Sequence, residues 1–215
     1  IETSSKNCSV AISDGEKLLC LCEEVSENYK QSESLHTFVE WALEGAEISL
    51  KDLDAVSLGM GPGSYTGLRI GAASAKGFCY GLQLPLIAIN SLDTLVEPLL
   101  GKGYDYIIPL IDARRMEIFG AIYDAACNPI LPEQAIVLDE SKWNSLIHQP
   151  TICIGNGIAK TKDIKVAQKV IYLEAMYTSQ ELVEMAMIKW NAGHFEDLAY
   201  VGPNYLKEVY IIPSK

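Results

Sequence analysis

The stretch from Ala55 to Leu82 constrains this chain more than any other. Ala55–Met60 is an apolar run and reads as a strand. The turn Gly61-Pro62-Gly63-Ser64 follows, and a helix is predicted from about Thr66 to Leu82. Strand, glycine turn and helix together are a common way to build an anion site, because the first N–H groups of a helix point outward without partners. The same helix places Gly67, Gly71, Ala75 and Cys79 at every fourth position, so one face is nearly bare backbone. Glycine costs roughly 1 kcal/mol against alanine in a helix interior. A face built at that cost predicts very close packing, against either another helix of this chain or a second subunit.

The rest of the composition narrows the class. The 215 residues suffice for one large domain or two small ones, and 49% hydrophobic with 21% charged residues is ordinary for a folded chain. The formal net charge of −11 repels phosphate backbones, so unaided nucleic-acid binding is not expected. No apolar run approaches the roughly 20 residues that span a bilayer, and no signal-peptide pattern opens the chain at Ile1. Cys8, Cys20, Cys22, Cys79, Cys127 and Cys153 are scattered, mostly in apolar runs. That fits reduced core thiols in a cytoplasmic protein, and no Cys/His cluster suggests zinc.

Taken in order, Cys8–Ser13 and Lys17–Val25 flank Asp14-Gly15 as a hairpin, and polar Glu27–Ser34 reads as a loop. Leu35, Phe38, Val39, Ala42, Leu43 and Ala46 form the apolar stripe of a helix over about Ser34–Glu47. After the glycine stretch, Leu84–Ile89 is a strand, and Asn90-Ser91 caps a helix over about Leu92–Leu100. Gly101-Lys102-Gly103 is the best boundary, dividing residues 1–100 from 101–215 as two α/β domains, the last segment packing back on the first. The second half predicts strands at Tyr106–Ile111, Glu117–Tyr123, Ala135–Leu138 and Thr151–Ile154. It also predicts a helix capped by Asp139 running to Ile147, and one opened by Thr178 with Glu181 and ending near Gly193. A tail holds Tyr205, Leu206, Val209, Ile211 and Ile212. Shifting the chain by 110 positions lays Ile1 on Ile111, Glu2 on Asp112, Ala11-Ile12 on Ala121-Ile122 and Asp14 on Asp124. That pattern predicts two related α/β halves, each opening with a strand that ends in a carboxylate.

Local chemistry leaves alternatives open. Gly61, Gly63, Ser64 and Thr66 form a candidate nucleotide or anion turn, but neither a P-loop nor a dinucleotide fingerprint closes it; the other reading is a tight turn under a closely packed helix. His36, His148 and His194 lie far apart, and His36 with Glu40 gives only two ligands one helical turn apart. No nucleophile elbow is present. Glu2 and Asp112 either hold magnesium at the mouth of a cleft between the halves or cap turns at their strand ends.

The run from Gly61 through Gly71, continued by Ala75-Lys76-Gly77, resembles the signature of the TsaB (YeaZ) family, the bacterial partner proteins of tRNA threonylcarbamoyladenosine synthesis. Supporting islands follow in the family's order: Ile1–Ser4, Ser34-Leu35-His36, Ile111–Arg115 and Gly155-Asn156-Gly157. Glu2, where many relatives carry Asp, and Thr37, where they carry Ser, are mild departures. The resemblance implies the actin-like, sugar-kinase-like ATPase fold with two duplicated α/β halves. It also implies a comparison with the paralogous transferase TsaD, which carries Asn-His-x-x-x-His where this chain has Asn90-Ser91-Leu92-Asp93-Thr94-Leu95. Ser91 and Leu95 stand in place of the metal-binding histidines, and leucine ligates no metal.

The reading implied is a catalytically inactive scaffold that binds TsaD, with TsaE at their boundary and tRNA held only by the complex. The docking surface is expected on the two helices Ser34–Glu47 and Thr66–Leu82, through Leu35, Phe38, Val39, Gly67, Arg69, Gly71, Ala75, Lys76 and Cys79. No cofactor or metal is expected on the isolated chain, ATP or ADP is expected at the interface with TsaD and TsaE, and a homodimer is expected in isolation. The rivals are a nucleotide-hydrolysing enzyme of the same fold, with Glu2 and Asp112 on magnesium, and a metallopeptidase.

Overall fold

The computed structural model describes residues 1–26, 31–147, 151–165 and 170–207. His148, Val209, Ile211 and Ile212 lie outside them. The first half comprises β1 (Asn7–Asp14), β2 (Lys17–Val25), α1 (Gln31–Gly45), β3 (Val56–Gly59), α2 (Tyr65–Leu82), β4 (Leu86–Ile89) and α3 (Ser91–Val96). The second comprises β5 (Tyr106–Asp112), β6 (Glu117–Asp124), β7 (Pro129–Val137), α4 (Glu140–Leu146), β8 (Thr151–Ile154), β9 (Val170–Leu173) and α5 (Leu182–Asn191). No helix among the described residues is long and apolar enough to cross a membrane.

Both halves are built alike, each of the α/β class with helices packed on one sheet. In the second, the sheet order is β7-β6-β5-β8-β9, antiparallel through β5 and parallel beyond it. In the first, Ile1–Thr3 takes the central place. Glu2 exchanges two 2.9 Å hydrogen bonds with Ser9 on β1, while the Gly59 N–H donates to Ile1 O at 3.0 Å on the other side. The spatial order is therefore β2, β1, Ile1–Thr3, β3, β4. Glu2 opposes Ser9 and Asp112 opposes Ile118. The second turn is one residue shorter, so the 110-residue offset slips to 109 beyond it. The match of Ala11-Ile12 to Ala121-Ile122 is thus one residue out of step.

Several element boundaries differ from expectation for visible reasons. The segment Glu27–Ser34, expected as loop, is already helical from Gln31. The expected helix Leu92–Leu100 is α only from Ser91 to Val96 and continues as a 3-10 turn, Glu97–Leu99, where Pro98 has no N–H to give. The expected strand Ala135–Leu138 starts earlier, at Pro129, because an edge strand tolerates Pro129 and Pro132. The Thr178 N–H and hydroxyl both donate to Glu181 Oε2, at 2.7 and 2.9 Å, and α5 begins just after that box.

One face of the first sheet is covered by α1 and α2, with Leu35, Phe38, Ala42, Leu58 and Ala75 in one core. The other face is covered by α5: Leu182 joins Ile87 and Ile89, with Met185, Ala186 and Trp190 packed around them. Just after α5 the chain is tied to the first sheet, where the Glu196 N–H donates to Leu86 O at 2.9 Å, and farther on Asn204 and Lys207 reach the second half.

Candidate functional site: a closed junction, a cleft and an open helical face

The bare face of α2 points inward. Gly67, Gly71, Ala75 and Cys79 are all buried. A methyl group on Gly67 would overlap the Thr3 carbonyl, and one on Gly71 would overlap the Thr3 hydroxyl and press on Leu58. Thr3 Oγ1 donates to Gly67 O at 2.8 Å, which draws the helix onto the central strand. The close packing is therefore helix on sheet within the chain. This corrects the expected docking residues. Gly67, Gly71, Ala75 and Cys79 contact the protein's own strand, and Leu35, Phe38 and Val39 are core residues. Arg69 and Lys76 are held by the tail: Arg69 Nε donates to Tyr205 Oη and Lys76 Nζ to Val201 O, each at 3.1 Å.

The turn before α2 is tied into the same junction. The Ser64 N–H donates to Ser4 O at 2.6 Å, and the Ser64 hydroxyl caps the helix by accepting from the Gly67 N–H at 3.3 Å. Gly61 has a φ of 99°, a left-handed value that favours glycine, and its carbonyl accepts from the Ser91 N–H at 2.8 Å. A side chain on Gly63 would strike Ser4 O. Of the four turn residues, Gly63, Ser64 and Thr66 line the cleft described below, while Gly61 lies beneath it against Leu68 and Asn204.

Ser91 and Leu95, the positions matching the transferase histidines, are both sealed. The Ser91 hydroxyl is 3.2 Å from the Ser4 hydroxyl, which lies 2.8 Å from Tyr177 Oη. Leu95 is part of the second half's core, with Leu92, Ile111 and Tyr177. Nearby, Asn90 caps α3 through Leu92 N at 2.8 Å and donates its amide to Glu133 Oε2. Glu133 Oε1 accepts a second amide, from Asn204 of the tail, at 2.8 Å. The pattern of small polar residues hid this hydroxyl chain, because Ser4, Ser91 and Tyr177 are far apart in sequence.

A cleft of about 1180 Å³ separates the halves, lined by Lys6 and Thr66 on one side and Asp112, Arg114, Arg115 and Lys160 on the other. Asp112 Oδ1 accepts from Lys160 Nζ at 2.7 Å and from the Arg114 N–H at 2.6 Å. Arg114 and Arg115 have φ values of 65° and 51°, so this tight turn is made from two residues in the left-handed region. Lys207 Nζ reaches in from the tail, donating to Ala113 O at 2.8 Å and Glu117 Oε2 at 2.9 Å. Glu2 does not line the cleft. It is fully buried; Oε1 accepts from the Ser4 N–H at 2.6 Å, and Oε2 has no hydrogen-bond partner among the described residues. Burial raises its pKa above the usual carboxylate range, against the lowering effect of the Ser4 hydrogen bonds. The two carboxylates of the magnesium reading therefore do not face a common point. His36 and His194 are exposed and apart, His36 lying 6.0 Å from the Phe78 ring. Among the described residues no group of three or more His, Cys, Asp or Glu is arranged to hold a metal ion.

What α1 and α2 leave open is their outer face. Tyr80 is 84% exposed and Trp41 55% exposed. On α2, Ala73 is exposed, and a side chain added at Gly77 or Gly81 would meet nothing within 4 Å. These three recur every fourth residue, a second small stripe beside the buried one. The repeat is visible in the sequence.

Comparisons with known proteins converge. The sequence model described as "TsaD: tRNA N6-adenosine threonylcarbamoyltransferase" matches residues 23–201. The protein named "tRNA threonylcarbamoyladenosine biosynthesis protein TsaB" in Bacillus subtilis is 30% identical over 129 residues, covering 57% of this chain and 55% of that one. Its Escherichia coli namesake is 34% identical over 137 residues, covering 60% and 56%. The chain thus spans little more than half the length of these two relatives. The Haemophilus influenzae protein of that name matches at 26% identity over 96% of this chain and 92% of its own. The solved structure of YeaZ from Pseudomonas aeruginosa shares the fold, with a TM-score of 0.78 at 22% identity over 95% of this chain and 97% of that one.

Proposed function

The chain belongs to the TsaB/YeaZ family, within the group recognised by the TsaD sequence model, and on that premise we propose that it is the non-catalytic scaffold of tRNA N6-threonylcarbamoyladenosine synthesis, which docks the TsaD transferase. The observation that carries this is the junction at Ser91 and Leu95. One side chain is spent in a buried hydroxyl chain and the other is core, so this position offers no pair of imidazoles for metal chemistry. The docking reading is supported by the outer face of α1 and α2, where Trp41 and Tyr80 stand out beside open glycines. Large exposed aromatics next to small residues suit a partner helix that approaches closely.

In this reading TsaE joins at the TsaB–TsaD boundary, ATP or ADP is bound there in the assembly, and tRNA is held by the complex, which suits a scaffold with a net charge of −11. The test is a reconstitution with purified chain, the same organism's TsaD and TsaE, tRNA and an activated threonylcarbamoyl donor. The chain alone transfers nothing, and adding it raises transfer by TsaD. Transfer by the chain alone overturns the non-catalytic role, and an unchanged TsaD rate overturns the partnership. Titration of the isolated chain with ATP and magnesium tests the nucleotide-hydrolysing rival, which requires tight binding with turnover.

A further inference from the structure

We infer that residues 201–207 are a clasp that sets how far the cleft between the halves is closed and couples its two walls. Among the described residues the chain passes between the halves three times. It leaves the first sheet at Ile89 for the second core at Leu92, returns from Tyr177 to Leu182, and leaves again from Val201 to Leu206. The first two passages are buried side by side. Ser4 Oγ lies 3.2 Å from Ser91 Oγ and 2.8 Å from Tyr177 Oη, and the Ser179 N–H donates to Ser9 Oγ at 2.8 Å. Two passages fixed at one place form a hinge, because modest changes of backbone angle there turn one half against the other. The third passage differs from them, since Asn204, Tyr205, Leu206 and Lys207 line the cleft itself.

This passage has a foot in each half. On the first, Val201 packs against the core and the Asn204 N–H donates to Met60 O at 2.8 Å. The Tyr205 ring lies 4.9 Å from that of Tyr65, and Arg69, bonded to Tyr205 Oη, stands 4.1 Å from the centre of the Tyr65 ring. On the second half, Leu206 packs against the core and the Asn204 amide donates to Glu133. Lys207 Nζ holds Ala113 O and Glu117 Oε2, 5.9 Å from the Phe119 ring. Tyr205 and Lys207 thus grip opposite walls from two positions apart. At about 3.3 Å per residue of extended chain there is little slack between them, and the walls part only when one lets go. Both grips face solvent: Tyr205 is 42% exposed and Lys207 is exposed. Exposed hydrogen bonds and ion pairs contribute little each, so the clasp opens without unfolding either core. Its first foot stands on α2 through Arg69 and Lys76, so displacing the tail from that helix is felt at the far wall of the cleft.

The experiment is hydrogen exchange read by mass spectrometry on the full chain, with each foot altered separately. Tyr205→Ala removes the grip on α2 and is read at the opposite wall, at the amides of residues 113–117. Lys207→Met removes the grip on the second half and is read at residues 64–68. Each variant speeds exchange on the opposite wall on the order of tenfold, while the amides of β3, β5 and β8 keep their protection. Lys207→Arg, which keeps the cation, stays close to the unaltered chain, and the double variant Tyr205→Ala/Lys207→Met has a larger radius of gyration in X-ray scattering. Changes confined to the wall that lost its own grip overturn the clasp. So does exchange that rises through both cores together, because the tail is then part of the fold and not a device upon it. Should Tyr205→Ala fail to fold, Tyr205→Phe loses only the Arg69 bond and gives the same crosswise pattern at smaller amplitude; its absence there also overturns the inference.

Discussion

Gly71 and Gly77 sit six residues apart on one helix and have opposite consequences. A side chain at Gly71 collides with Thr3, so Gly71→Leu breaks the fold rather than an interface, and circular dichroism will show it unfolded or strongly destabilised. Gly77 faces open space, so Gly77→Ala gains helix propensity and stabilises by about 1 kcal/mol, measurable in a urea melt. Glu2 makes a pH prediction. Its folded-state pKa is raised by burial, so the folded form holds the proton more tightly than the unfolded one. Stability is then fullest below the ordinary carboxylate pKa and declines as pH rises from about 4 through the raised value. Glu2→Gln removes that decline, and its melting temperature gains on the unaltered chain as pH rises. Burial also pushes the Cys8 and Cys79 thiols up to about 11 and that of Cys153 to about 12. All three resist alkylation at pH 8 until the chain is unfolded, as mass mapping will read. At this scale the sequence disclosed that small residues recur every fourth position. It did not disclose which of two such stripes faces inward, because that depends on Thr3, far away in the chain.

Elements were legible where a period ran long. The α1 stripe, the β1–β2 hairpin and the strand–turn–helix of β3 and α2 stand close to where pattern put them. β9 is not legible: no Gly, Pro, Asn or Asp adjoins Val170–Leu173 to bound the run, whereas β8, equally short, lies between Pro150 and Gly155. The start of β7 was masked by prolines, which are tolerated there because among the described residues no strand pairs with its outer edge. Glu133 on β7 shows what this edge strand does. It accepts amides from Asn90, at the start of α3, and from Asn204 in the tail. Glu133→Ala leaves both amides without that acceptor and costs about 1–3 kcal/mol, with faster proteolysis of the tail in a limited-digestion time course.

At the scale of the whole molecule, the duplication was legible from the carboxylates at two strand ends, and the matching sheet orders bear out that kinship. The cleft and the junction were not legible, since they join Ser4, Ser91, Tyr177 and Lys207 from across the chain. The sequence boundary at Gly101-Lys102-Gly103 does not separate independent bodies: α5 closes the first sheet over Ile87 and Ile89. A fragment ending at Leu100 therefore exposes that face, and will be recovered insoluble or unfolded. The placement of α5 also bears on how the protein is made. The ribosome finishes the first half's strands long before Leu182 emerges, and at roughly 5–20 residues per second that interval lasts on the order of 5 to 20 s. The half synthesised first is the last to be completed, and through that wait its apolar underside is a target for holdase chaperones.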